Sequence, residues 1–331
     1  IFMSPTCLAS RLNISSTHFP DVAKLSVILT IPATILTKLD LSENLICEDG
    51  AKALGKALET NTSLEELNLN NCKLEDTGGC AIANGLRKNT SLIALNLTNN
   101  KLGPIVLFIL CESGVQKLDF SWNELPSPVH VKKALAESSL DELCLYACDI
   151  DTRGAVDIVS GFKGKVLNIA ANEITDDGAI DIATAIGSNM NELDISNNPL
   201  SNLGVETFAR KMLEPECHIT NFSATGGIPG LDSYSPISNG VGKIIAENPK
   251  LENVVGYFDN QEITHQVAQN CQKNLNIRMN TYLNIWSSCY EIPEYVQMIG
   301  ITMYLLMPEF KVKLPMRLIP YIMSFKTYGA W

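Results

Sequence analysis

Leucines and other apolar residues recur along this chain in a fixed order, with polar residues at set positions between them. The pattern is Leu-x-x-Leu-x-Leu-x-x-Asn/Cys-x-Leu, with Ile, Val, Met or Phe replacing some of the leucines. Seven copies in one register place their second apolar residue 23 to 28 residues apart, at Leu39, Leu67, Leu95, Leu118, Leu143, Leu167 and Leu193. Repetition at such a period indicates a solenoid, in which each unit buries its apolar side against its neighbours.

Each copy of the motif predicts a short strand followed by a turn. The Leu-x-Leu alternation has period two, so both leucines point into the core and the residues between them point out. A buried Asn after the strand can bond the backbone of neighbouring turns, so stacked copies are predicted to form a ladder. Cys72 and Cys148 occupy the same position and are therefore interpreted as small buried thiols rather than reactive groups.

The second half of each unit predicts a helix. Asp49-Gly50-Ala51 has the composition of a helix start, and apolar residues follow it at helical spacing. Between Leu95 and Leu118 this pattern is replaced by Leu107-Phe-Ile-Leu110, which predicts a shortened helix. Less regular copies are predicted near the two ends, as expected for units that face solvent on one side, at residues 11–14, 219–224 and 251–254, with a final strand at 275–277.

This combination of strand, Asn/Cys turn, helix start and units of up to 28 residues resembles the ribonuclease-inhibitor-like leucine-rich repeat proteins. The resemblance is close over residues 36–213 and looser over 10–280. It implies an α/β solenoid shaped as a horseshoe, with a parallel sheet on the concave face and helices on the convex face. Members of this class mostly bind other proteins. The shorter middle units depart from the regular alternation of unit lengths in that class.

The repeats divide the chain into three predicted parts. Residues 1–35 form an N-terminal cap with a divergent first repeat, residues 36–281 form the solenoid, and residues 282–331 form a C-terminal segment. That last segment holds ten of the 22 aromatic residues and four prolines. It is interpreted either as a helical cap over the last repeat or as a docking segment for another protein or a membrane surface.

Charge and composition narrow the choice of partner. The formal net charge of −11 makes a nucleic-acid partner unexpected, because that binding needs clustered Lys and Arg. It favours a basic protein partner instead. The chain has no apolar stretch long enough to span a membrane, so a membrane association is not expected. The scattered histidines and cysteines show no metal-ligand spacing, no cofactor is predicted, and the scattered thiols fit a reducing, cytoplasmic compartment.

Candidate binding residues come from the outward positions of the predicted strands. These positions are small, polar and mildly acidic, and they contain no Ser-His-Asp set or facing carboxylate pair, so no catalytic residue is predicted. Trp and Tyr are typical of protein interfaces, and two of them stand near strand ends in adjacent units. The predicted partner-binding residues are Trp122, Tyr146, Asp119, Glu142, Asn96 and Asn70. The alternative for Trp122 is that it folds over the turn and packs against its neighbours.

The sequence therefore predicts a non-catalytic protein-interaction module. The abundance of Asn, Ile and Ser and the scarcity of Arg resemble proteins from AT-rich genomes. Two origins fit this composition: a secreted bacterial effector that acts on host proteins in the host cytoplasm, and a eukaryotic protein of host type. The main alternative is a substrate-recognition subunit or enzyme of ubiquitin-ligase type, although Cys289 has no evident activating base. A second alternative is an inhibitor that covers the active site of a basic enzyme.

Overall fold

The chain divides into two units, Ile1–Asn274 and Leu275–Trp331. In this computed structural model the described residues are 10–17, 22–31, 35–126, 131–224, 236–256, 258 and 260–288. The described part of the second unit is the end of one helix. Cys289 and most of the predicted C-terminal segment lie outside the described residues.

The first unit contains a single sheet of ten parallel strands, arranged in the order of the sequence. The strands are β1 (Arg11–Asn13), β2 (Lys38–Asp40), β3 (Glu66–Asn68), β4 (Ala94–Asn96), β5 (Lys117–Asp119), β6 (Glu142–Cys144), β7 (Val166–Asn168), β8 (Glu192–Asp194), β9 (Asn221–Ser223) and β10 (Asn253–Val255). The central residue of each strand is paired with that of the next, as Leu39 is with Leu67. The predicted α/β solenoid is therefore confirmed, including the divergent strands β1, β9 and β10.

Helices alternate with the strands and form a second layer. They are α1 (Val22–Leu29), α2 (Glu48–Leu58), α3 (Glu75–Leu86), α4 (Pro104–Leu110), α5 (Val131–Glu137), α6 (Thr152–Gly161), α7 (Ala179–Ala185), α8 (Asn202–Lys211), α9 (Asn239–Ala246) and α10 (Gln261–Ser288), with a 3-10 turn at Asp176–Gly178 before α7. Each helix from α1 to α8 packs on the one that follows it. Helix α4 has seven residues, against 11 in α2 and 12 in α3, so the predicted shortening is confirmed.

One hydrophobic core runs between the two layers through all the repeats. In the second repeat it contains Leu39 and Leu41 from the strand segment and Leu54 and Leu58 from α2, all essentially inaccessible to solvent. Burying one such side chain stabilises the fold by about 1.5–3 kcal/mol. The alternation along each strand leaves the neighbouring side chains on the opposite side of the sheet, which is called the strand face below.

Buried asparagines join each repeat to the one before it. The amide nitrogen of Asn100 donates to the carbonyls of Leu69 (2.7 Å) and Leu97 (3.0 Å). Its Oδ1 accepts from the backbone N–H groups of Cys72 (2.9 Å) and Leu74 (3.3 Å). Equivalent bonds are made by Asn123, Asn172 and Asn198. The predicted ladder is therefore confirmed, and it pairs backbone groups that would otherwise be buried without partners.

The two cysteines in the ladder position are also buried, as predicted. The thiol of Cys72 lies 3.3 Å from the carbonyl of Leu41, and the thiol of Cys148 lies 3.3 Å from the carbonyl of Phe120. A thiol can donate to the previous repeat, but it is only a weak acceptor. These two positions therefore keep one half of the bonds that an asparagine makes.

The predicted strand at residues 275–277 is wrong, because this stretch belongs to α10. Ile263, Val267 and Cys271 recur at helical spacing and are buried. The segment therefore packs its apolar side chains into the core as one face of a helix. On the next turn the amide of Asn274 donates to the carbonyls of Leu251 (2.8 Å) and residue 248 (3.1 Å). Residue 281, the predicted end of the solenoid, lies inside this helix.

Helices α2 and α3 approach each other closely at two glycines. A Cβ added at Gly85 would stand 2.1 Å from the carbonyl oxygen of Gly55, and one at Gly55 would stand 2.2 Å from that of Ala81. Both neighbours are backbone atoms, so the clash can be relieved only by moving one helix. The absence of side chains at these two positions thus sets the spacing between the second and third repeats.

We expect Gly85→Ala to lower the free energy of unfolding by about 1–3 kcal/mol, because overpacking outweighs the better helix propensity of alanine. The matched control is Gly240→Ala in α9, where the nearest atom beyond the two adjacent residues and the helix backbone is the hydroxyl of Ser238, 4.0 Å from the added Cβ. That change should raise stability by about 0.5–1 kcal/mol through helix propensity alone. Urea unfolding followed by circular dichroism measures both, and equal effects of the two substitutions would contradict the close approach.

Candidate protein-binding surface

The strand face is organised in four rows that run across the repeats. The first and second rows are the first and last residues of each strand, and the third row lies two residues further on. The fourth, here called the turn row, follows directly and has positive φ in every repeat from the first to the eighth. The turn row consists of Ser16, Glu43, Asn71, Asn99, Trp122, Ala147, Ala171 and Asn197.

The second row has a structural role in most repeats. Oδ1 of Asp119 accepts the backbone N–H of Ser121 (3.0 Å), and Oδ1 of Asn96 accepts that of Thr98 (2.9 Å). The same bond holds the end of strands β2, β3, β7 and β8. Two of the predicted binding residues, Asp119 and Asn96, therefore also fix the path of the chain as it leaves the strand.

Two other predicted residues are engaged within the protein. Glu142, in the first row, forms an ion pair with Lys117 of the adjacent strand at 2.6 Å. Asn70, in the third row, accepts the backbone N–H of Glu43 through its backbone carbonyl oxygen at 2.8 Å. An exposed ion pair adds little stability, at most about 1 kcal/mol, so Glu142 stays accessible for a competing cation.

The remaining two predicted residues, Trp122 and Tyr146, are brought into direct contact. Their ring centroids lie 5.7 Å apart with an interplanar angle of 57°. Trp122 remains 58% exposed, although it packs against its neighbour. The indole therefore contacts Tyr146 and still presents most of its surface to solvent, and its part in binding stays a prediction.

Trp122 stands at a backbone position that large side chains rarely adopt. Its φ is 57°, in the left-handed region, where the other repeats place Asn, Glu, Ser or Ala. This conformation costs roughly 1–2 kcal/mol for residues with a large Cβ substituent. Because the indole is mostly exposed, the free energy gained from its burial offsets little of this conformational cost. Such a local cost is typical of positions that are kept for binding.

Sequence reasoning missed three alanines beside the two rings. Ala147 and Ala171 occupy the turn row, and Ala170 occupies the third row, where other repeats have Ser, Asn or Thr. The signal was present in the sequence, but alanine becomes informative only when the rows are aligned. Ala170 is buried, so the four residues Trp122, Tyr146, Ala147 and Ala171 are called the aromatic–alanine patch. It spans three adjacent repeats, about 10 Å at the usual strand spacing.

The repeat sequences match a known family. The model described as "Leucine Rich repeat" matches residues 60–83, 88–105, 165–183 and 188–209, which contain strands β3, β4, β7 and β8. The chain carries leucine-rich repeats. No curated protein matches it.

Three solved structures are similar to this leucine-rich repeat chain at low sequence identity. The tropomodulin C-terminal domain of Caenorhabditis elegans is 17% identical, over 61% of this chain and 96% of that one, with a TM-score of 0.32. An internalin from Listeria monocytogenes is 16% identical, over 75% of each chain, with a TM-score of 0.43. A chain of the Rad7 and Elc1 complex in yeast is 11% identical, over 75% of this chain and 64% of that one, with a TM-score of 0.49.

Other chemistry in the described part of the leucine-rich repeat chain is limited. Its eight cysteines are free thiols. Within the described ranges, no group of three His, Cys, Asp or Glu side chains is placed to hold a metal ion. None of the helices there is both long enough and apolar enough to cross a membrane.

Burial makes the ladder thiols poor nucleophiles. It raises the pKa of Cys72 to about 11 and the pKa of Cys148 to about 12, from an ordinary value of 9.0. We therefore expect iodoacetamide at pH 8 to modify the exposed Cys47 well before either of them, since the thiolate is the reacting form. Peptide mass spectrometry at increasing times measures the three rates. Modification of Cys148 in the folded protein as fast as that of Cys47 would contradict this assignment.

The same pKa shifts predict loss of stability at alkaline pH. The folded state binds the thiol proton more tightly than the unfolded state. Below pH 9 both thiols are protonated in both states, so their titration does not change the free energy of unfolding there. Between about pH 9 and 11 the unfolded state loses the proton first, and the free energy of unfolding falls with a limiting slope of about 1.4 kcal/mol per pH unit for each thiol. Urea unfolding at pH 8 and pH 10 measures the fall, and substituting Cys148→Ala should make it shallower.

Proposed function

We propose that this leucine-rich repeat chain is a non-catalytic protein-interaction module that holds a partner protein on its strand face. The observation that carries the proposal is the exposed indole of Trp122, held against Tyr146 at a left-handed position of the turn row. Trp and Tyr are enriched among the residues that contribute most to binding energy at protein interfaces.

The surroundings of the two rings support the proposal. The rows elsewhere present mainly small polar residues, and their second-row side chains are occupied in holding the strand ends. In strand β6 the second-row residue is Cys144, which lacks the Asp or Asn oxygen, and the third-row residue is Tyr146. The repeat pattern therefore breaks where the aromatic surface is placed. The contact between the two rings joins two repeats, but it leaves the indole 58% exposed, and binding is the role that uses this exposed surface.

The proposal is tested with paired baits. The intact chain and its Tyr146→Ser variant, which introduces the residue type found at the third row of four other repeats, are used side by side in proximity labelling. A specific partner should be labelled by the intact chain and lost or strongly reduced with the variant. The variant must retain the circular dichroism spectrum of the parent. Partners labelled equally by both proteins would contradict binding at this face.

Finer assignments rest on the sequence and on the thiols. We propose a cytoplasmic location, including host cytoplasm after secretion, which the eight free thiols support because such thiols persist in reducing compartments. An origin as a bacterial effector is proposed from composition alone. A role in ubiquitin ligation, as substrate reader or as enzyme, is the alternative, and a ubiquitin-discharge assay comparing the intact chain with Cys289→Ala tests its enzymatic form.

A further inference from the structure

A second feature of the same surface indicates the chemistry of the partner. Two residues after the turn-row position, each repeat from the second to the seventh presents an exposed side chain. In the third and fourth repeats these residues are Lys73 and Lys101. In the next three repeats they are Glu124, Asp149 and Glu173. The sign of the charge therefore reverses at the repeat that carries Trp122, and the three carboxylates stay beside the aromatic–alanine patch along its whole length.

Within the described part of the chain, the three carboxylates take part in no ion pair. The nearest lysines of the adjacent strands pair with other acids, Lys117 with Glu142 and Lys165 with Asp141. None of the ion pairs in the described ranges includes Glu124, Asp149 or Glu173.

The other side of the patch is not acidic along its length. The second row there has Asp119 in the fifth repeat, followed by Cys144 and Asn168 in the sixth and seventh, and Oδ1 of Asp119 already accepts the backbone N–H of Ser121. On the acidic side, Lys101 is the nearest cation in the row of exposed residues, one repeat before Glu124. The patch is thus an apolar strip about 10 Å long with an acidic margin along one side.

We infer that the partner presents a basic, extended segment, with one apolar side chain seated on the aromatic–alanine patch and Lys or Arg residues next to it that face Glu124, Asp149 and Glu173. The inference rests on the proposed function, because it assigns the ligand of that same surface. The apolar side chain would cover Trp122 and Tyr146, while the cations would meet the acidic margin. An extended chain advances about 3.3 Å per residue, so a segment of three to five residues spans the strip.

The experiment uses a displayed library of random twelve-residue peptides, selected on the intact chain. We expect the enriched peptides to combine an aromatic or aliphatic residue with flanking Lys or Arg. Synthetic copies should bind about tenfold more weakly to Glu124→Gln/Asp149→Asn/Glu173→Gln, and their affinity for the parent should fall as salt is raised. The matched control is Asp181→Asn/Glu216→Gln/Glu247→Gln, which removes three exposed charges from the helix layer and its loops and should leave binding within about twofold.

The possible results separate this inference from the proposed function. Enriched peptides that lose binding with Trp122→Asn but not with the Glu124/Asp149/Glu173 variant would leave the binding surface in place and overturn its basic specificity. Enriched peptides that are acidic or uncharged would overturn it too. Equal loss of affinity with both charge variants would show that net charge acts at a distance, and it would overturn the basic specificity of this surface. If the selected peptides were not enriched over those selected on an unrelated acidic protein, both the specificity and the binding surface would be contradicted.

Discussion

Replacing Asn100 with alanine is expected to lower the free energy of unfolding by about 3–5 kcal/mol, because buried polar groups lose their partners. The side chain is fully buried. Its removal leaves the N–H groups of Cys72 and Leu74 and the carbonyls of Leu69 and Leu97 without the bonds they have in the ladder. The damage spans two repeats, so the loss should exceed that of a typical surface substitution several-fold.

The neighbouring asparagine supplies the control for this prediction. Asn99→Ala removes the same atoms from an exposed position of the turn row, where Ala147 and Ala171 already occur with the same positive φ. Its loss should stay below about 1 kcal/mol. Urea unfolding followed by circular dichroism measures both variants. Similar losses for Asn99→Ala and Asn100→Ala would show that the ladder contributes no more than a surface hydrogen bond.

Replacing Trp122 with asparagine is expected to weaken partner binding by about thirtyfold or more, the effect of losing roughly 2 kcal/mol at an interface aromatic. Folding should change by less than about 1 kcal/mol. Loss of the contact with Tyr146 costs about 0.5–1.5 kcal/mol, and asparagine relieves the left-handed strain by a similar amount. Asparagine is also the residue of the turn row at positions 71, 99 and 197.

The dissociation constant for the selected peptides or for an identified partner, measured by fluorescence anisotropy, checks this prediction. Leu203→Asn is the control, because Leu203 is a large apolar side chain that is 68% exposed in the first turn of α8, away from the strand face. It removes a similar amount of exposed apolar surface and should leave binding unchanged. Unchanged binding with Trp122→Asn would remove the aromatic–alanine patch from the interface.

The architecture could be predicted from the sequence because equivalent positions of every repeat must bury an apolar side chain. Leu39, Leu67 and Leu95 must all enter one core, so their spacing alone defines strand, register and layer. The role of Asn100 followed in the same way, since a buried amide without partners is too costly to recur by chance. The stretch at 275–277 failed because an apolar-polar-apolar triplet is short enough to fit a helix as well as a strand.

The candidate site was predicted less completely, for a different reason. Outward position and aromatic character were the two criteria, and outward position selected Asp119 and Asn96 together with Trp122. Their second role at the strand ends depends on a bond to the backbone two residues away, which composition does not reveal. The pair Lys117–Glu142 joins residues 25 positions apart, and only the register of β5 with β6 brings them together. The exposed acids two residues after the turn row and the three alanines required the aligned rows.

The side chain of Asn274 lets a helix take the place of a repeat. It donates to the carbonyls of residue 248 and Leu251, in the loop between α9 and β10. Asn89 makes the equivalent bonds to Leu58, the last residue of α2, and to Asn61 in the loop before β3, from the repeat that follows them. One buried amide therefore pairs these carbonyls whether another repeat or helix α10 supplies it, so the loop does not require its neighbour to be a leucine-rich repeat.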